Sequence, residues 1–164
     1  MSSNNRIFYA CQGVAITNQG DDVLATGDMA HGVQSVGVNT SFNLEQAFEL
    51  GQIEIFENIE GTPDVEVTLE KVFDGYPLLY HMATSGVVGT AHSGLAARAA
   101  EQCDLRLGIF DESANNIASS SSNSGKAVVE VYCSGMFVSS ISYTVPVEGN
   151  ATESVTLVGN NKQW

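Results

Sequence analysis

The chain has 164 residues and carries 19 acidic side chains against 6 basic ones, a formal charge of −13. A chain of this length can bury a core without disulfide or metal staples, and its charge repels nucleic acid and anionic membrane. A hydrophobic fraction of 43% excludes general disorder, and with only 15% charged residues much of the surface falls to Ser, Thr, Asn and Gly or to contacts with further copies.

In chain order, Ile7 to Thr17 is rich in β-branched and aromatic residues and predicts a first strand, followed by a turn at Asn18-Gln19-Gly20-Asp21-Asp22. Asp22 to Gly32 reads as an irregular loop. Val33 to Asn43 predicts a strand in which Val36 and Val38 alternate with Ser35, Gly37 and Asn39. Leu44 to Leu50 is built of helix formers with Gly51 as a stop, and predicts a turn or a single helical coil. Gln52 to Asn58 predicts a strand with Ile53 and Ile55 inward. Glu60-Gly61-Thr62-Pro63 then leads into the clearest pattern of the chain, Asp64-Val65-Glu66-Val67-Thr68-Leu69-Glu70. Period-two alternation there predicts a half-buried strand with an acidic outer face, ending at Asp74-Gly75.

Tyr76 to Ala83 is apolar and predicts a turn of helix begun by Pro77. A Gly-rich loop follows, and then Ser93 to Gln102, alanine-rich with Ser93 as N-cap, which reads as the best helix of the chain. Leu105, Leu107 and Ile109 alternate with polar or small neighbours and predict a strand. The segment Ser119 to Gly125 reads as a flexible loop tip. Lys126 to Ser134 and Met136 to Val145 predict two strands separated by Gly135, and Thr152 to Val158 predicts the last. The expectation is a single domain over residues 1–164, mainly β, a sandwich or barrel with one flanking helix.

No catalytic constellation assembles from these residues. Ser124-Gly125-Lys126-Ala127 is similar to the end of a phosphate loop, but Ser120 and Ala127 stand where Gly and Ser or Thr are needed, and a strand follows where a helix should. His31, His81 and His92 lack metal-ligand spacing. Ser85 and Ser93 lack a nucleophile elbow. Glu54, Glu57, Glu66 and Glu70 have no aromatic platforms of the kind glycosidase carboxylates use, and a solvated acidic face is the plainer reading. Asp21, Asp22 and Asp28 fit no calcium loop. Cys11, Cys103 and Cys133 read as small buried apolar residues in a chain made in a reducing compartment. No signal peptide and no membrane-spanning run is expected, and neither enzyme activity nor a cofactor.

Two stretches carry a family resemblance. Val33 to Val72, with the Leu44-Glu45-Gln46-Ala47-Phe48-Glu49-Leu50 and Glu60-Gly61-Thr62-Pro63 segments inside it, resembles tail tube proteins of bacteriophages, those with contractile tails. Tyr143 to Asn160 is similar to the closing strands of the same family. Together these cover under half of the chain. The resemblance implies a β-sandwich or barrel subunit that closes into a hexameric ring, with inner strands joined into a channel and rings stacked into a tube. It implies a virion tail location after assembly in the host cytoplasm, and contacts with tail sheath, baseplate and tail terminator proteins. DNA would pass through without specific binding, as a conduit short of Lys and Arg requires.

On that reading, lumen candidates are Glu54, Glu57, Glu66 and Glu70, expected on paired strands around the Thr62-Pro63 turn. The other reading sends them outward or to subunit contacts. Inter-ring contact candidates are Arg6, Asp21, Asp22 and Asp28, and Arg6, Lys71, Arg98, Arg106 and Lys126 are expected to pair across interfaces. The alternative to a tube subunit is a monomeric acidic β-sandwich binding module for carbohydrate or a virion surface.

Overall fold

The structure is a computed structural model that describes residues 12–20, 28–51, 55–85, 100–110 and 127–164. Its strands are β1 (Gln12–Asn18), β2 (Val33–Ser41), β3 (Leu44–Phe48), β4 (Ile55–Glu60), β5 (Asp64–Val72), β6 (Cys103–Ile109), β7 (Val129–Thr144), β8 (Thr152–Gly159) and β9 (Asn161–Gln163), with helix α1 (Leu79–Ser85) between β5 and β6. One antiparallel sheet runs β1-β6-β7-β8-β5-β2, with β9 also on β7, and β3 and β4 form a separate two-stranded sheet. The fold is mainly β: the large sheet curls over its core and one short helix packs on it.

The pattern at Asp64–Val72 is realised as read: Val65, Val67 and Leu69 are buried while Asp64, Glu66, Thr68 and Glu70 are exposed. Val155 and Leu157 on β8, Leu105 on β6, and Val131, Cys133 and Met136 on β7 close over the same core, with Leu79, Met82 and Ala83 of α1 inside it. Each large apolar side chain sealed this way contributes about 1.5–3 kcal/mol. Cys103 and Cys133 are free, buried thiols. Burial, helped by the neighbouring Asp104 charge, pushes the Cys103 thiol up to about 12, and burial raises that of Cys133. Thiolate being the reactive form, both sites stay unlabelled by alkylating reagents in the folded protein at pH 8 and label once it is unfolded in urea, as read by peptide mass mapping.

Several expectations are corrected. Leu44–Phe48 is a strand, not a helical coil: its helix formers are overridden by pairing with β4, and Gly51 at φ +94° marks the turn between the two strands. On β4, Ile55 is exposed rather than inward. The two strands expected around Gly135 are one strand of 16 residues, β7, bent where Gly135 takes φ +65° and the register slips. The helix expected to end at Gln102 does not include Ala100–Gln102, and residues 93–99 lie outside the described residues. The flanking helix is α1, begun just after Pro77. The strand β9 has no counterpart in the sequence reading; it continues the register of β8 along the same side of β7, through Cys133↔Lys162 and Ser134↔Asn161.

Among the described residues three charged side chains are buried, against the expectation that charge marks the surface. Asp104 accepts hydrogen bonds from the Gly20 amide (2.9 Å), the Gly135 amide (2.9 Å) and the Tyr132 hydroxyl (2.8 Å), tying the turn after β1 to the bend in β7. Glu153 accepts from the Leu79 amide (2.7 Å), the Tyr80 amide (3.2 Å) and the Tyr143 hydroxyl (3.3 Å), which satisfies the first amides of α1. Lys71, expected at an interface between subunits, is sealed within its own chain. Its ammonium donates to Asp74 (2.6 Å) and to the His31 carbonyl (2.5 Å).

Candidate functional site

The outward face of β2, β5, β8 and β7 is the surface the fold builds most regularly. Its residues follow from the register, which sets them in rows across four strands. One row is Ser35, Glu70, Ser154 and Ser142; the next is Gly37, Thr68, Thr156 and Ser140; the third is Asn39, Glu66, Val158 and Phe137. Side chains directly opposite on neighbouring strands share a face. Eight of these twelve positions are Ser, Thr, Asn or Gly, two are Glu, and none is Lys or Arg. Glu66 and Glu70 stand four residues apart on β5, a separation of about 13 Å along the strand. The Ser35 hydroxyl reaches toward the Glu70 carboxylate at 3.4 Å.

Among the described residues, this four-stranded face has two open edges. Strand β2 pairs with β5 on one side and with no strand on the other. The Phe137–Thr144 half of β7 pairs with β8, while β6 reaches only the Val129–Met136 half. Each open edge presents a row of backbone donors and acceptors ready for another strand.

The predicted lumen residues separate in the structure. Glu66 and Glu70 share the face just described. Glu57 is exposed but sits on β4, paired with Ala47 of β3, so the expectation that these acids lie on paired strands fails: β4 pairs β3 and not β5. The cause is the Asn43–Asp64 junction. The Gly61 amide bonds the Asn43 carbonyl at 2.7 Å, and the Asn43 side chain bonds the Thr62 carbonyl and Asp64, each at 3.0 Å, closing the β3–β4 hairpin at its root. A Cβ at Gly61 would collide with the Asn43 carbonyl, so the closure needs glycine. Glu54 lies outside the described residues, as do Arg6, Asp21 and Asp22. Asp28 is half-buried next to Met29, which bridges Ala15 of β1 at the opposite edge of the sheet from β2.

Two features were missed. The hairpin exposes Leu44, Phe48 and Leu50, read as part of a helical coil, Ile55, read as inward, and Ile59 beside them. Trp164 is also exposed, with the Lys162 ammonium 4.7 Å from its ring centroid. Arg106 lies over the Tyr132 ring at 5.0 Å and pairs with Glu130 at 3.8 Å within the chain. Among the described residues no group of three or more His, Cys, Asp and Glu is placed to hold a metal ion, and no helix is long and apolar enough to cross a membrane.

No protein-family model matches the sequence, and no curated protein matches it. Solved structures do. A chain of the anti-feeding prophage cap, the tube terminating cap of that particle, superposes with a TM-score of 0.62 at 12% identity, covering 99% of this chain and 93% of that one. A chain of the sheath–tube complex of an extracellular contractile injection system, PVC in its extended state, gives 0.62 at 10% identity over 98% and 92%. The SPP1 tail tube gives 0.57 at 10% identity over 96% and 77%. The curled antiparallel sheet with its flanking helix is the fold of tail tube and tube-terminating proteins.

Proposed function

We propose that this chain is a structural, non-catalytic subunit of a phage-type tail tube, closing into rings of six that stack into a hollow conduit for DNA. The observation that carries the reading is a hydroxyl-rich, acid-bearing face, without a base among the described residues, on the four-stranded part of the sheet whose two edges are open among those residues. Pairing the β2 edge of one copy with the Phe137–Thr144 edge of β7 in the next turns that face into the wall of a continuous barrel, and closure removes both exposed edges. Glu66 and Glu70 then form two carboxylate rings in the bore, and Ser and Thr hydroxyls fill the rest. Such a wall offers phosphates none of the cations that hold them. The superposition on tube and sheath–tube chains supports the same assembly, with sheath, baseplate and terminator proteins as partners. Asp28, beside β1, is assigned to contact between successive rings.

Six copies of −13 carry about −78 per ring, so self-repulsion opposes closure and stacking. Assembly should therefore rise with added salt and with mild acidification, followed by light scattering and negative-stain microscopy. Hollow filaments whose density map places Glu66 and Glu70 in the bore are expected. Lone 17.4 kDa particles at high concentration and near-physiological salt would end the tube reading and favour the binding module. Equal assembly at all ionic strengths would remove its electrostatic part.

A further inference from the structure

We propose that the groove around Trp164 receives the β3–β4 hairpin of a second copy of this chain. The inference builds on the tube reading in that copies must meet, and it names which surfaces meet.

The hairpin needs a cover. Among the described residues it is two strands with no third strand beside them, a unit marginally stable in water. Phe48 and Leu50 are exposed near its far end, at 63% and 104% of their full areas. It is also uniformly acidic: from Leu44 to Glu60 it carries Glu45, Glu49, Glu54, Glu57 and Glu60 and no Lys, Arg or His. On a chain of −13, most surfaces would meet such a segment with like charge.

Among the described residues one place does not. Of the described lysines and arginines, Lys71 is buried, and the other two, Arg106 and Lys162, flank Trp164. Lys162 and Trp164 line a groove of about 470 Å³ with Phe42 and Pro63. Arg106, Glu130, Tyr132, Gln163 and Trp164 line an adjoining recess of about 320 Å³, where Arg106 is paired with Glu130, so the cation offered to an acidic occupant is Lys162. An indole and a phenyl ring beside an ammonium suit an occupant that is both apolar and acidic.

The occupant comes from another copy. Phe42 and Pro63 are at the root of the chain's own hairpin, and the strands carry Phe48 and Ile55 about 13 Å beyond that root. A closed hairpin cannot fold its tip back onto its own base. The groove also lies where the open edge of β2 runs out into Phe42, so a copy paired on that edge would be its neighbour.

Trp164 is the only tryptophan, which makes its emission a direct probe. In wild-type filaments its emission should move to shorter wavelength, and acrylamide quenching should fall several-fold relative to low-salt monomer. The variant F48T/I55T, changed only at exposed positions and without adding charge to this cross-strand pair, should keep the wild-type melting curve as a monomer and lose that shielding in its filaments. Filaments in which Trp164 stays as quenchable as in the monomer would overturn the groove while leaving the tube intact. So would shielded filaments from F48T/I55T. Failure of the wild-type chain to assemble under any salt condition would overturn both.

Discussion

Replacing Glu153 with alanine should lower the unfolding free energy by about 3–5 kcal/mol, because it strands two buried amides at once. The Leu79 and Tyr80 amides precede the first intrahelical bond of α1, in which the Met82 amide reaches the Leu78 carbonyl at 3.1 Å, so no helix carbonyl is available to them. Glu153 supplies both acceptors from β8, and it is fully buried, so water cannot take its place. Glutamine keeps one acceptor oxygen and should cost about half as much. Urea unfolding measures both variants, and amide exchange at Leu79 and Tyr80 locates the damage. An alanine variant within about 1 kcal/mol of wild type would show that the cap contributes little. Tyr143 reports on the same site. Burial first, then the Glu153 charge and hydrogen bond, push its phenol up to about 12. A phenol whose folded value lies above the unfolded one near 10 contributes stability below pH 10 that is lost as pH rises toward 12. Removing Glu153 should bring the Tyr143 titration down, as read by its NMR shift.

The same residues show what was legible in the sequence. Val65, Val67 and Leu69 announce an inward face by period two, and carrying that period one step further reaches Lys71. Val155 and Leu157 carried one step back reach Glu153 in the same way. In both cases position in the alternation said inside and charge said outside, and position was right because each charge found partners within reach. At Leu44–Phe48 the conflict ran the other way. Leu, Glu, Gln and Ala favour helix locally, and the β4 strand that overrides them is a tertiary partner invisible to propensity. Gly135 carried a real signal read too strongly: the backbone bends there without the strand ending. The acidic face of β5 was legible to the residue, whereas its Ser and Thr rows on β7 and β8 depend on register, which no single strand encodes.

The buried cation sets up the second large effect, an asymmetry between the two partners of one ion pair. Asp74→Ala should cost about 3–4 kcal/mol, because the Lys71 ammonium, fully buried, would keep only the His31 carbonyl. Lys71→Met should cost about 1 kcal/mol or less. The Asp74 side chain is 25% exposed, so water can solvate its carboxylate once the ammonium is gone, and a methionine stem fills the space the lysine stem occupied. The Tyr76 amide also continues to hold the carboxylate at 3.1 Å, with His31 stacked on the Tyr76 ring at 4.0 Å. The pH dependence follows from the same geometry. Burial works against ionisation of Asp74, but the Lys71 hydrogen bond, the Tyr76 amide and the Lys71 charge outweigh it and hold the carboxyl below its usual range. A depressed carboxyl contributes stability that is present above its unfolded value and lost as pH falls through the folded one. Wild type should therefore lose stability below about pH 4 by more than Lys71→Met does. Urea midpoints at pH 7 and pH 3 make the comparison. If Lys71→Met costs as much as Asp74→Ala at neutral pH, the ammonium itself holds this corner of the fold together, and the pair is a net stabiliser rather than a charge that merely needs its partner.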